Sequence, residues 1–113
     1  MPKKLFTRDL KPGQHFLVES RQMYFVVVNR SVHEQHTKET TIGTDKETVT
    51  IELAAIGLDV RSCTLDADGK PKDYGTEVYI VWITDEEGAR LIVEQTEHKT
   101  VSEKLPDEVD VLD

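Results

Sequence analysis

The stretch Gln22-Met23-Tyr24-Phe25-Val26-Val27-Val28-Asn29 is apolar without interruption from Met23 to Val28, on both sets of alternating positions. This pattern is typical of a central strand, or of a strand whose second face is covered. Thr76 to Thr84 repeat the pattern, and alternation divides their apolar residues into two faces: Val78, Ile80 and Trp82 on one, Tyr79, Val81 and Ile83 on the other. We expect these two strands to form the centre of the hydrophobic core.

Further segments have the pattern of shorter or half-exposed strands. Between Glu47 and Leu53, apolar and polar residues alternate strictly, and shorter strands are expected at His15 to Glu19 and at Leu58 to Leu65. Turn residues separate the segments, at Lys11-Pro12-Gly13, Ser20-Arg21 and Asp66 to Pro71. The sequence therefore predicts a mainly β fold, a single small antiparallel barrel or strongly bent sheet of about six strands.

The segment after Thr84 is compatible with two structures. Thr84-Asp85-Glu86-Glu87 is a capping-box sequence, which would begin a short helix running to about Glu97. In the alternative, Asp85 to Gly88 form a hairpin turn with Gly88 left-handed, and Ala89 to Gln95 pair with Thr76 to Thr84. We favour the hairpin, because a glycine in the first helical turn costs about 1 kcal/mol and Leu91-Ile92-Val93 favours a strand.

The first predicted hairpin resembles a known class of domain. It consists of Asp9-Leu10-Lys11-Pro12-Gly13-Gln14-His15-Phe16-Leu17-Val18, a tight turn, and Met23-Tyr24-Phe25-Val26-Val27. This looks like the opening of small KOW-type β-barrels, such as the first domain of bacterial elongation factor P, and is similar to small uncharacterised bacteriophage proteins. The resemblance covers residues 9–27 and implies a small barrel. It implies no role in translation, because a shared fold does not carry function.

Length and composition limit the classes of protein. The chain has 113 residues, a net charge of −8 and one cysteine, Cys63. This length predicts one domain, and one cysteine excludes both an internal disulfide and a cysteine-based zinc site. Since no apolar stretch reaches the ~18 residues of a membrane span and no signal-peptide apolar region follows Met1, we expect a soluble cytoplasmic protein without a membrane partner.

Charge is distributed unevenly along the chain. Residues 1–30 carry a net charge of +4, whereas residues 94–113 carry −5. We interpret residues 1–96 as a small β-rich domain and residues 97–113 as an acidic, solvated tail. In one alternative the tail docks onto a partner as a strand or short helix. In another it folds back on the basic N-terminal segment.

No motif of catalysis or metal binding is complete. His33 and His36, near Glu39, are three residues apart rather than the four of a helical zinc pair, and on a strand they would point to opposite faces. Asp66-Ala67-Asp68-Gly69 lacks the carboxylates that a calcium loop needs at its first and last positions, so we expect an ordinary turn. Cys63 is expected to be a buried, inert thiol and His15 a structural histidine. We therefore expect no catalytic residue, metal or cofactor, and no enzymatic activity.

Two functions fit this sequence. The first is a small acidic, non-enzymatic binding protein that acts through a protein partner, for example a bacteriophage-encoded inhibitor or adaptor of a host nucleic-acid or defence complex. Its expected partner-binding residues are Glu94, Glu97, Glu103, Asp107, Glu108 and Asp110. The alternative is a nucleic-acid-binding small barrel, although a net charge of −8 opposes phosphate binding. Its binding residues would lie on the basic N-terminal hairpin: Arg8, Lys11, Arg21, Tyr24 and Arg30.

Two further expectations concern assembly and the core. An uncovered edge strand would make a homodimer easy to form. Trp82→Ala should cost about 3–5 kcal/mol if the ring is fully buried, whereas a mild effect would place the ring on an exposed ligand-binding face.

Overall fold

The computed structural model describes residues 3–40 and 47–112, with side chains for 3–34 and 55–112. These ranges contain nine strands: β1 (Lys3–Phe6), β2 (His15–Val18), β3 (Met23–Thr40), β4 (Glu47–Leu65), β5 (Pro71–Tyr74), β6 (Tyr79–Thr84), β7 (Gly88–Gln95), β8 (Thr100–Lys104) and β9 (Glu108–Val111). Two short 3-10 turns, Thr7–Asp9 and Glu19–Arg21, are the helical elements there, and neither is long enough to cross a membrane. The predicted mainly β fold is confirmed, with more strands than expected.

The strands form one antiparallel sheet that curls into a half-barrel. Its strand order is β1-β9-β2-β3-β4-β6-β7-β8, and β5 pairs beside β4. Curling brings the inner side chains of neighbouring strands together, and these side chains form the hydrophobic core. The most deeply buried members of this core are Leu10, Phe16, Val18, Val27, Leu58, Val60, Val81, Leu91 and Leu105.

The two central apolar strands bury one face each. Phe25 and Val27 of β3 are buried, as are Val81 and Ile83 of β6. Trp82, between the last two, is only half-buried on the opposite side of the sheet. Both segments thus contribute to the core as predicted, but within the described residues no second layer covers the outer face of β6.

Strands β3 and β4 form a hairpin that is longer than the rest of the sheet. Their pairing runs from Tyr24 opposite Cys63 to Thr40 opposite Glu47, with register shifts at Val28 and after His33. Strand β2 pairs with β3 only as far as Val26, and β6 pairs with β4 only from Ile56 onward. Among the residues that the structure describes, 34–40 and 47–53 therefore pair only with each other, as a two-stranded arm. The segments 47–53 and 58–65 belong to one continuous strand, because pairing with β3 continues between them across the register shift after His33.

The hairpin predicted after Thr84 is confirmed. Thr84 pairs with Gly88, and Gly88 has a φ of 69°, the left-handed conformation. The Thr84 hydroxyl accepts a hydrogen bond from the Glu87 amide at 3.0 Å. The interaction that suggested a helix cap therefore closes a turn instead. The turn at Asp66 is also as predicted, since its carboxylate accepts hydrogen bonds from the amides of Asp68 and Lys70, both at 2.9 Å.

The C-terminal segment is where the structure differs most from the predicted organisation. Residues 97–113 were expected to be a solvated tail, but they contain β8, which pairs with β7, and β9, which pairs with β1 and β2. Leu105, Val109 and Val111 are buried in the core. The physical reason is that valines alternate with acids here, the pattern of a half-exposed strand. The structure agrees with the alternative in which this segment folds back on the basic N-terminal segment, because β9 pairs with β1.

Candidate partner-binding face

The predicted acidic and basic sets meet at Arg21 and Glu103. Arg21 donates two hydrogen bonds to the Glu103 carboxylate, Nη2 to Oε1 at 2.6 Å and Nε to Oε2 at 3.1 Å, and the Ser20 hydroxyl donates a third at 3.2 Å. These bonds lower the pKa of Glu103, and the same pairing raises that of Arg21. Glu103 lies opposite the buried Leu91, so it reaches from the inner side of β8 to the turn between β2 and β3. The ion pair therefore bridges the half-barrel.

Among the other predicted nucleic-acid-binding residues, Lys11 and Arg30 line one surface cavity, whereas Tyr24 does not line it. Arg30 donates from Nη1 to the carbonyl oxygens of Arg8, at 2.5 Å, and Leu10, at 3.0 Å. Arg8 Nη2 lies 3.3 Å from Asp85 Oδ1. Lys11 is exposed before β2, and Tyr24 is half-buried on β3. Three of these side chains, Arg8, Arg21 and Arg30, are thus engaged in contacts within the protein.

The other predicted partner-binding acids are distributed over three elements. Glu94 is exposed near the end of β7, and Glu97 is exposed in the loop that follows. Asp107 precedes β9, in which Glu108 lies opposite Phe6 and Asp110 opposite Lys4. Opposite charges facing each other across antiparallel strands stabilise the pairing. The uneven charge in the sequence is therefore partly used to join the two ends of the chain.

A different group stands out on the outer face of the sheet, centred on Trp82. In the register, Trp82 lies between Gly57 of β4 and Arg90 of β7. Its ring centroid is 4.9 Å from that of His33, and the two rings are tilted by 51°. Ser31 Oγ lies 3.2 Å from His33 Nε2 and 3.3 Å from the Gly57 carbonyl oxygen, so the serine links the imidazole to the backbone of β4.

Gly57 makes this arrangement possible. A Cβ at position 57 would lie 3.0 Å from Ser31 Oγ, 3.4 Å from Trp82 Cζ3 and 3.6 Å from His33 Nε2. Any side chain here would push into the space between the serine, the imidazole and the indole. The glycine therefore lets Trp82 and His33 approach each other over the buried backbone of β4.

Apolar side chains continue this outer face beyond Trp82. Ile80 lies opposite Ile92 of β7, and Val78 just before β6 is exposed over more than half of its surface. Polar side chains in the same rows of the sheet surround them: Asp59, Arg90 and Ser102. We call Trp82, His33, Ile80, Ile92 and Arg90 the Trp82 face. One feature of the sequence indicates the Trp82 face: Thr76 to Thr84 have a second apolar face, which includes the single tryptophan. The sequence alone predicts that this second face is part of the core.

The candidate catalytic residues have environments that suit structural roles. Cys63 is buried, as expected, and burial raises the pKa of its thiol. His15 Nε2 lies 2.9 Å from the Tyr74 hydroxyl, and burial lowers the pKa of this histidine. Where side chains are described, no three His, Cys, Asp or Glu residues are grouped to hold a metal ion. The side chains of His36 and Glu39 lie outside that part.

Comparison of the chain with protein-family models, with curated proteins and with solved structures gave no match.

Proposed function

We propose that this half-barrel is a non-enzymatic binding protein that recognises a protein partner through the Trp82 face. The observation that supports the proposal is the position of Trp82, a half-buried indole on the outer face of the sheet, next to the exposed Ile80 and the half-buried Ile92. Within the part of the chain that is described, no other element covers this face. Binding to a partner would bury it.

The composition of the Trp82 face supports a protein as the partner. Protein interfaces concentrate binding energy in a few tryptophan, tyrosine and arginine side chains, surrounded by a polar rim. Trp82 and Arg90 are adjacent on neighbouring strands, and Asp59 and Ser102 supply the rim. Gly57 and His33 hold the indole in place from one side, so less freedom is lost when a partner packs on the other.

Charge argues in the same direction. The protein carries −8, which repels the phosphate backbone of a nucleic acid. Arg21 and Arg30 of the basic hairpin are bound to Glu103 and to backbone carbonyls. The narrower role, a bacteriophage-encoded inhibitor or adaptor of a host nucleic-acid or defence complex, stays a prediction, as does a homodimer formed through an edge strand.

An affinity experiment tests the proposal. The full chain and its Trp82→Ala variant are used to capture proteins from a lysate of the source cells, with and without nuclease, and bound proteins are quantified by mass spectrometry. We expect one stoichiometric protein that survives nuclease and is lost at least about tenfold with Trp82→Ala. Val28→Ala is the matched control, because it shortens another exposed apolar side chain. Equal capture by all three proteins would contradict the proposal.

One observation favours nucleic acid as a second candidate ligand. A pair of aromatic rings on a sheet face, such as Trp82 and His33, is the arrangement on which unpaired bases stack. Capture of nucleic acid, with all proteins lost on nuclease treatment, would support this candidate. Its affinity should then fall steeply as the salt concentration rises.

A further inference from the structure

A cleft opens at one end of the half-barrel, between the segment Phe6–Arg8 and the hairpin of β6 and β7. Its volume is about 420 Å³. This is within the usual range for small-ligand sites, roughly 300–1,000 Å³. Its lining includes Ile83 and Ala89, both nearly buried, and Phe6, which is exposed over 54% of its surface. The cleft is thus mainly apolar inside.

Three charged side chains line the cleft: Arg8, Asp85 and Asp107. Arg8 is already paired with Asp85 at 3.3 Å, so these two charges largely offset each other. The Asp107 carboxylate then supplies the net charge. Gly88 lies beside this carboxylate and has no side chain that could cover it. A Cβ at position 88 would lie 3.9 Å from Asp107 Oδ1.

The backbone of Asp107 is fixed from two directions. Its carbonyl oxygen accepts a hydrogen bond from the Thr7 amide at 2.7 Å, and the preceding Pro106 carbonyl accepts one from the buried Thr7 hydroxyl, also at 2.7 Å. The backbone that carries the Asp107 carboxylate is therefore held in a fixed position beside the cleft. The cleft therefore combines nearly buried apolar residues, an exposed aromatic ring and a positioned negative charge.

We propose that this cleft binds the side chain of a lysine or arginine of the protein partner. The methylene chain packs on Ile83 and Ala89, and the cationic group lies between the Phe6 ring and the Asp107 carboxylate. An acidic side chain is repelled by Asp107 and by the net charge of −8. A neutral apolar side chain leaves the carboxylate without a partner. The inference rests on the proposed function for the source of the side chain.

The test uses small probes and the full ¹⁵N-labelled chain, so it does not depend on knowing the partner. N-acetyl-lysine methylamide is titrated and followed by amide chemical shifts, with N-acetyl-norleucine methylamide as the uncharged probe of similar shape. We expect saturable shifts at Arg8, Gly88 and Ala89 with the lysine probe, and binding at least about fivefold weaker with norleucine. Equal binding of the two probes, or no shift at these amides, would overturn the inference.

Two variants test whether the Asp107 carboxylate is the charge that binds the lysine probe. Asp107→Asn should weaken binding of the lysine probe about fivefold. Glu86→Gln removes the same charge from an exposed residue of the turn between β6 and β7 that does not line the cleft, and should leave binding unchanged. Equal losses in both variants would mean that only overall charge matters, and would also overturn the inference. If the lysine probe binds but Trp82→Ala has no effect on capture, the inference about the cleft is supported and the proposed role of the Trp82 face is contradicted. If Trp82→Ala abolishes capture but the lysine probe does not bind, only the inference about the cleft is contradicted.

Discussion

Arg21 binds both carboxylate oxygens of Glu103, although the two residues are 82 positions apart in the chain. One belongs to the basic N-terminal third and the other to the acidic C-terminal segment. Their contact joins the turn between β2 and β3 to β8, the last strand in the sheet order. The charge asymmetry that suggested an external partner therefore has a structural use inside the protein.

Removing either member of this ion pair should lower the free energy of unfolding by about 1 kcal/mol. The pair is bidentate but 30–40% exposed, so a larger effect is not expected. A double-mutant cycle of Arg21→Ala and Glu103→Ala, measured by urea unfolding, should give a clear coupling energy. The matched cycle is Arg90→Ala with Glu87→Ala, a 3.6 Å exposed pair that should couple weakly. Strict additivity at Arg21 and Glu103 would show that the bridge does not stabilise the fold.

His15 should make stability depend on pH near neutrality. Burial lowers the pKa of His15 below its ordinary value of 6.5, so the folded protein holds this proton less tightly than the unfolded chain. The contribution of neutral His15 is fully present above pH 6.5. It is lost progressively as the pH falls through that value towards the lower folded pKa. Urea unfolding of wild type and His15→Gln between pH 5 and 8 should show this slope only in the wild type.

The control for this prediction is His98→Gln, which removes an exposed histidine in the loop between β7 and β8. In the His98→Gln background, adding His15→Gln should change the pH dependence of the free energy of unfolding as much as it does in the wild type. An identical pH profile for wild type and His15→Gln would contradict the assignment.

The C-terminal strands should be essential for folding. Leu105→Ala removes a buried side chain and should cost about 3 kcal/mol in thermal or urea unfolding. Glu97→Ala, an exposed position in the same segment, should change stability by less than about 0.5 kcal/mol. A chain that ends at residue 96 lacks β8 and β9 and should not unfold cooperatively. Cooperative unfolding of that truncated chain would restore the view that residues 97–113 are a tail.

The sequence was informative where the signal was local. Gly88 and the Leu91-Ile92-Val93 run were enough to choose the hairpin, since both act within a few residues of the turn. The alternation of Val109, Asp110 and Val111 was equally visible, but the partner of β9 is β1, about a hundred residues away. Nothing local indicates that pairing. The acids were therefore interpreted as a sign of solvation rather than as the outer face of a strand.

The Trp82 face could not be predicted from the sequence for a related reason. Two apolar faces in Thr76 to Thr84 indicated a strand covered on both sides, and the pattern cannot show whether the second cover is part of the same chain. Gly57 gave no signal either, because its role depends on Ser31, His33 and Trp82, which approach it only in the folded sheet. The site is defined by strand register, and register between distant segments is not readable from one sequence.

Two glycines should respond to substitution for opposite reasons. Gly88 is left-handed, and a Cβ there meets only Asp107 Oδ1 at 3.9 Å, so Gly88→Ala should cost about 1 kcal/mol through the backbone. Gly88→Asn should cost less, because asparagine tolerates this conformation. Gly57→Ala instead places a Cβ 3.0 Å from Ser31 Oγ. Its cost in urea unfolding should shrink in a Ser31→Ala background, whereas that of Gly88→Ala should not.

Trp82→Ala should cost about 1–2 kcal/mol, less than the 3–5 kcal/mol of a fully buried ring, because Trp82 is only half-buried. Leu91→Ala, at a fully buried position one strand away, should cost about 3 kcal/mol in the same urea titration. As the single tryptophan, Trp82 also reports on its own exposure through acrylamide quenching of its fluorescence. We expect efficient quenching in the free protein and protection once a partner is bound. A loss of 3–5 kcal/mol together with weak quenching would place the ring in the core and leave the Trp82 face without its anchor.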